Sequence, residues 1–388
     1  MSVPSRSERI LNLPPYLFAD LDRTKRELRS RGVDVIDLSI GDPDLPTPAL
    51  LIEKLYEAAK KPEHHRYPAY DGSPAFRKVV ADWYQDRFGV SLNPENEVLA
   101  LIGSKEGIAH IPLAFVNPGD LTLVPDPGYP VYATATSFAG GTPRSVPLLK
   151  ANQFRPKFSE IPADVAKRSK LFFLNYPNNP TSATAGVGFF EEAVAFAKRY
   201  EMLICHDAAY TEVFLSGVEP QSFLQAAGAK DVGIEFHSLS KTFNMTGWRV
   251  GFAVGNREAI GALAKVKTNV DSGVFGAIQE TAISALQHWK ELRDQNNRIY
   301  GHRRDILLEG LKRLKIPFQI PRATFYVWCD IPTKESSTAF CTRILQKAGV
   351  CFTPGVGFGA HGEGYFRITL TASEVRLQEA LSRLEKNL

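Results

Sequence analysis

Between residues 98 and 255 the chain repeats one pattern: a short apolar run, a polar cluster, then a stretch with helical spacing. The runs are VLALIG (98–103), LTLVP (121–125), LFFLN (171–175), MLICHD (202–207), IEFHS (234–238) and VGFAVG (250–255). Runs this short and apolar read as buried strands, and strands alternating with helices predict a mostly parallel α/β sheet with helices on both faces. The same constraint says where to look for function, because ligands of open parallel sheets bind beyond the carboxyl ends of the strands. Four of the runs lead directly into polar residues able to bind a ligand. Ser104-Lys105-Glu106-Gly107 follows the first, and Asn178-Asn179-Pro180-Thr181 comes just past LFFLN. MLICH ends at Asp207 with Tyr210 three residues on, and IEFH ends at Ser238 with Lys241 beyond it.

Residues 1–31 read as an arm ending in a charged helix, with Leu17, Phe18, Leu21 and Leu28 along one face. A short strand over 33–40 leads to the rigid turn from Gly41 to Pro46. Helical patterns over 48–60 and 74–88 flank the loop from Tyr67 to Gly72, and a long helical region over 276–314 precedes a strand–helix–strand–helix tail. A chain of 388 residues exceeds what one core usually fills. The expected division is a large domain over 46–285 and a smaller α+β domain over 286–388, with residues 1–45 as an arm and part of the small domain.

Hydrophobic content of 44% and charged content of 23% describe a globular protein with a sizeable core. The 46 basic and 42 acidic residues are interspersed without a basic block, so nucleic acid is not an implied partner. The four cysteines show neither CxxC pairing nor metal-ligand spacing, which leaves reduced structural thiols and no metal. No apolar run is long enough to span a bilayer and the N-terminal stretch lacks a secretory apolar core, so the expectation is a cytoplasmic protein without a membrane partner.

Lys241 lies between two apolar runs, in Ser238-Leu-Ser-Lys241, with Arg249 at the mouth of the next run. A lysine there needs a partner or a covalent task. A Schiff base with the aldehyde of pyridoxal phosphate (PLP) is one such task, with Ser238 and Arg249 reaching the phosphate; a surface loop is the plainer alternative. Asp207 is either a helix cap or the anion that keeps a pyridine nitrogen protonated. Tyr210 and Asn179 would then donate to the phenolate oxygen, although Asn179-Pro180 also suits a simple turn. Ser104 and Lys105 stand at a helix start, where backbone N–H groups favour phosphate. Tyr129 is core or a ring-stacking residue. Arg367, in the alternating YFRITL, is on a solvent face or offers a fork to a substrate carboxylate.

Taken in order, Ser104-Lys105, Tyr129, Asn179-Pro180, Asp207 with Tyr210, Ser238-x-x-Lys241, Arg249 and Arg367 resemble the fold-type I, class I/II PLP-dependent aminotransferases over essentially the whole chain. The resemblance implies Lys241 as the Schiff-base lysine and proton shuttle, Asp207 at the pyridinium, and Asn179 and Tyr210 at the phenolate oxygen. It implies Arg367 at the substrate α-carboxylate, Tyr129 and Asn179 beside the substrate, and Ser104, Lys105, Ser238 and Arg249 around the phosphate. Tyr67 matches a tyrosine that reaches the phosphate of a neighbouring subunit, so a homodimer with shared active sites is implied; Gly41 matches a glycine lining the carboxylate site.

Finer stretches, among them GVDVIDLSIGDPDLPTP, LIGSKEGIAHIPLAFVNPGD and EFHSLSKTFNMTGWRVG, are similar to the shorter bacterial and archaeal branch that acts on LL-2,6-diaminopimelate and 2-oxoglutarate on the route to lysine. Thr181-Ser182, where general aminotransferases have Thr-Gly, agrees with that branch. Tyr70 stands where the other branch has a glutamate that reads the distal end of the substrate, so that recognition does not carry over. Lys105, Tyr16 and Tyr70 are the candidates for it. The rival expectations are an aspartate, alanine or aromatic aminotransferase, a C–S β-lyase on the same scaffold, and a PLP-binding regulator without turnover, which would carry an appended DNA-binding domain.

Overall fold

In the computed structural model, which describes residues 4–11, 13 and 19–388, all six apolar runs become strands of one sheet. In chain order the strands are β1 (Ile36–Asp37), β2 (Val98–Leu101), β3 (Leu121–Asp126), β4 (Thr142–Pro147), β5 (Ser169–Asn175), β6 (Leu203–Asp207), β7 (Gly233–Ser238), β8 (Gly251–Gly255), β9 (Tyr326–Asp330), β10 (Val350–Cys351), β11 (Thr353–Pro354) and β12 (Tyr365–Thr369). The seven-stranded sheet has the order β2-β8-β7-β6-β5-β3-β4. Its strands pair in parallel from β7 to β4, whereas β8 runs antiparallel to both β2 and β7.

Successive strand residues point to opposite faces, and both faces are covered. Val98, Ala100, Phe172 and Leu174 pack with Val80 and Tyr84 of helix Pro74–Phe88 and Phe190 of helix Val187–Tyr200. Leu99, Leu101, Leu171 and Phe173 pack on the other face with Ile108 and Ile111 of helix Ser104–Phe115 and Leu263 of helix Arg257–Val270. Every residue of β2, β3, β7 and β8 is buried, which explains their unbroken apolar spelling. The edge strand β4 was not expected. Its sequence TPRSVP holds one buried residue, Val146, and two prolines, which an edge tolerates and a central strand does not.

A second core surrounds the antiparallel sheet β11-β12-β9 and includes Leu311, Phe325, Ile344, Phe366 and Leu377. The long helical region over 276–314 is two helices, Gly276–Gln287 and Trp289–Arg313, separated at His288. The second is shared: Trp289 and Leu292 belong to the first core, Tyr300 and Leu307 to the second. β1 pairs in parallel with β10, so the N-terminal segment adds to the C-terminal part. Of the apolar face expected in the arm, Leu21 is buried and Leu28 packs beside it in helix Ala19–Ser30, while Leu17 and Phe18 lie outside the described residues. All four cysteines are buried and unpaired. No helix among the described residues is long and apolar enough to cross a membrane.

Candidate active site

A cavity of about 780 Å³ is lined by residues from the carboxyl ends of the parallel strands and from the β9/β12 region. It gathers Gly41, Ser104, Lys105, Tyr129, Asn179, Asp207, Tyr210, Ser238, Lys241, Arg249 and Arg367, every expected site residue except Tyr67, Tyr70 and Tyr16. The strand ends do most of the positioning. Asp207 closes β6 and Ser238 closes β7; the Ser238 hydroxyl accepts from Ser240 N–H at 3.2 Å and so caps the short helix Leu239–Thr242 that carries Lys241. Ser104 opens its helix behind Gly103, whose φ of +79° suits a residue without a side chain. A Cβ on Gly103 would collide with the guanidinium of Arg249, so this glycine lets the arginine lie against a helix N-terminus. Arg249 Nη1 donates to the Thr246 carbonyl at 2.8 Å. Helix N–H groups, two hydroxyls and a guanidinium at one place suit a phosphate.

Lys241 Nζ donates to the Gly41 carbonyl at 3.1 Å. Burial pushes its pKa down to about 8; Asp42 and Asp207 pull it up, and Arg249 and Arg367 push it further down. A substantial neutral fraction near pH 8 is what a lysine nucleophile requires. Asp207 is buried, and burial pushes its carboxyl up, against the hydrogen bonds from Tyr132 O–H at 2.8 Å and Ala209 N–H at 3.3 Å. It makes no salt bridge among the described residues, so a bound cation, such as a protonated ring nitrogen, would find its counter-charge there. Ser240 Oγ and Arg367 Nε, both buried on the cavity side, also have no partner among the described residues. Cradle, amine and carboxylate together fit PLP.

Arg367 is buried rather than on a solvent face. Its guanidinium lies 4.1 Å from the Tyr326 ring centroid and 4.7 Å from that of Phe358. Nη1 donates to Asn179 Oδ1 at 2.7 Å and Nη2 to the Ser39 carbonyl at 2.7 Å, leaving Nε–H to seek an acceptor. Because the amide oxygen of Asn179 is engaged, its Nδ2 is the free donor. Tyr210 and Tyr326 share a hydrogen bond at 2.9 Å between their hydroxyls. Gly41 keeps clear of Tyr326, where a Cβ would clash with the phenol oxygen.

Tyr67 is 85% exposed and Tyr70 44%, on a loop held by Ala100 N–H donating to Asp71 O at 3.0 Å. Neither lines the cavity within one chain. Tyr16 lies outside the described residues. Three cavity or site-supporting residues escaped the sequence reading: Tyr326, Tyr132 and Asn175. Asn175 carried the clearest signal, as a polar residue ending an apolar strand; its Nδ2 donates to the Asp207 carbonyl at 2.7 Å and its Oδ1 accepts from Asn179 N–H at 2.7 Å. Glu106, His110 and Asp271 approach one another, but the buried Lys267 ammonium already donates to Glu106 and Asp271 at 3.0 and 2.8 Å.

A family profile described as aminotransferase class I and II matches residues 33–384, and the chain belongs to that family. It is a PLP-dependent aminotransferase with the fold-type I architecture. In particular, it is 55% identical to the LL-diaminopimelate aminotransferase of Syntrophobacter fumaroxidans over 98% of both chains. It is 54% identical to that of Moorella thermoacetica, over 98% of this chain and 97% of the relative. Among solved structures, substrate-bound BacF from Bacillus subtilis superposes with a TM-score of 0.95 at 38% identity, covering 99% of this chain and 98% of that one.

Proposed function

We propose that the chain moves an amino group between LL-2,6-diaminopimelate and 2-oxoglutarate, with tetrahydrodipicolinate and glutamate as the other pair, on the route to lysine. Supporting the reading is a single observation: identity of 52–55% to LL-diaminopimelate aminotransferases along 98% of the chain, with every cavity residue such a reaction needs converging on one space.

When bound, PLP supplies an aldehyde for the substrate amine and a ring that takes up the electron pair left as Cα loses its proton. The chain does the rest. Lys241 would accept the Cα proton and return it at C4′, two atoms along, as its lowered basicity permits. Arg367 holds the α-carboxylate, its plane fixed between Tyr326 and Phe358 so that few degrees of freedom remain to be lost. Asp207 meets the ring nitrogen, and Asn179 and Tyr210 donate to the phenolate oxygen. Tyr129 lies against the ring and beside the substrate. Ser104, Lys105, Ser238 and Arg249 take the phosphate. Lys105, exposed at the cavity and without an ion pair among the described residues, is also the candidate for the distal carboxylate.

The same reading includes a homodimer, since Tyr67 and Tyr70 are exposed and do not line the cavity of their own chain. It places the enzyme in the cytoplasm, where its substrates are free metabolites. The unit over 46–285 carries most of the cofactor contacts, and the unit over 286–388, with the first 45 residues, carries Arg367 and Gly41. The test is kcat/KM with 2-oxoglutarate for LL-diaminopimelate against aspartate, alanine and an aromatic donor. The reading expects LL-diaminopimelate to lead; a tenfold advantage for any other donor refutes it and leaves the family assignment standing.

A further inference from the structure

Tyr132 is the one side chain that donates a hydrogen bond to the Asp207 carboxylate among the described residues. It stands on helix Val131–Phe138, only 1% exposed, with its ring stacked on Phe173 at 4.9 Å between centroids and 13° between planes. Tyr129 meets it edge-on at 5.7 Å. Held in this way, the phenol has its oxygen 2.8 Å from Asp207 Oδ2. Burial and the neighbouring carboxylate push its own ionisation well above the ordinary tyrosine range, so the O–H remains a donor throughout the working pH range. A carboxylate only accepts hydrogen bonds, and a bond donated to it favours the charged form.

We propose that Tyr132 is a positioning residue that keeps Asp207 ionised and fixed in orientation, and through it keeps a proton on the ring nitrogen of PLP. The inference rests on the reading of Asp207 given above. Four other titratable groups act on the carboxylate by charge alone: His206 on β6, His237 on β7, Tyr210 in the turn after β6 and Lys241 beyond β7. Tyr326 from β9 is a fifth such group, and it and Tyr210 both belong to the second core. Without the phenol, the Ala209 N–H at 3.3 Å is the one hydrogen bond to the carboxylate left to oppose burial among the described residues, beside the charge of His206 and His237. The carboxyl then competes for the proton that the ring nitrogen otherwise holds.

The experiment loads the full-length protein with PLP carrying nitrogen-15 in the ring and reads the ring-nitrogen NMR shift, which separates pyridinium from pyridine. Wild type should show pyridinium. Tyr132→Phe should move the signal part of the way to pyridine, and Asp207→Asn the whole way. Tyr176→Phe, which removes an equally buried hydroxyl that bonds the Phe154 carbonyl away from the site, should not move it. In turnover, Tyr132→Phe should lower kcat roughly tenfold to a hundredfold, the scale of one hydrogen bond to a charged group, with KM nearly unchanged. Should that variant fail to fold, Phe173→Leu, which unstacks the tyrosine but keeps its hydroxyl, must shift the signal in the same direction. A wild-type signal in Tyr132→Phe, with Asp207→Asn displaced, overturns the role of Tyr132 alone. If Asp207→Asn also keeps the wild-type signal, the reading of Asp207 falls and the inference falls with it.

Discussion

Arg367 on β12 donates through Nη1 to Oδ1 of Asn179 at 2.7 Å, a bond that joins the three-stranded sheet to the carboxyl end of the seven-stranded one. Tyr210 and Tyr326 repeat the crossing at 2.9 Å, and Ser182 Oγ donates to the Tyr326 carbonyl at 2.7 Å. The group proposed for the substrate carboxylate is thus tied to a residue proposed for the cofactor, so the two binding tasks would share one rigid frame.

That frame predicts how an Arg367→Lys variant behaves. Lysine keeps the charge but loses the planar fork, the contact between the two rings and the bond to Asn179. One or two charge-assisted hydrogen bonds are worth about 1.5–3 kcal/mol each. We expect kcat/KM for every amino-acid donor to fall about a hundredfold, with KM carrying most of the loss. Steady-state kinetics checks this, and an unchanged KM would place the carboxylate elsewhere.

Lys241 gives a pH prediction. Its pKa in the folded protein, about 8, lies below its ordinary value of 10.5, so the unfolded chain binds more protons between those values. Apoprotein stability should therefore gain from this group as pH rises from about 8 to 10.5 and lose that contribution below 8. The rate at which apoprotein captures PLP should climb with the neutral fraction of the amine up to about pH 8 and level off above it. Stopped-flow absorbance follows the capture directly. A rate still rising tenfold per pH unit above 9 would mean an unperturbed lysine.

Tyr67 offers a test of the shared site. Lys241→Ala and Tyr67→Ala homodimers should both be weak, the first through its missing amine and the second through poor PLP retention. Unfolded together and refolded, half the dimers are mixed and each carries one intact site, so roughly a quarter of wild-type activity should return. A mixture no more active than the average of its parents would put Tyr67 outside any active site.

The central sheet was legible because its strands are covered on both faces and so spell out continuous apolar runs, as in LFFLN and IEFHS. β4 was not, because an edge strand with one buried residue has no such spelling. The break at His288 left no glycine or proline to mark it. Within the site, residues at strand ends could be found by position: Asp207, Ser238, Lys241 and Asn179 all follow runs. Arg367 and Tyr326 come from a sheet whose placement over the cavity is a tertiary fact, and local sequence left the first open between a solvent face and a carboxylate fork until the family resemblance favoured the fork. Tyr132 was invisible for a different reason. It sits in a helix among apolar neighbours, and nothing local distinguishes a core tyrosine from one whose hydroxyl faces a carboxylate.

The account turns on Lys241 as the residue that carries PLP, and peptide mapping tests this most directly. The cofactor-loaded protein is reduced with borohydride, which makes the carbon–nitrogen bond between lysine and PLP permanent, and is then digested with trypsin. Modification at Lys241 blocks cleavage there, so the account predicts one phosphopyridoxyl peptide, Asp231–Arg249, identified by mass spectrometry. The label on a different lysine, or cleavage after an unmodified Lys241 in fully loaded protein, would contradict it.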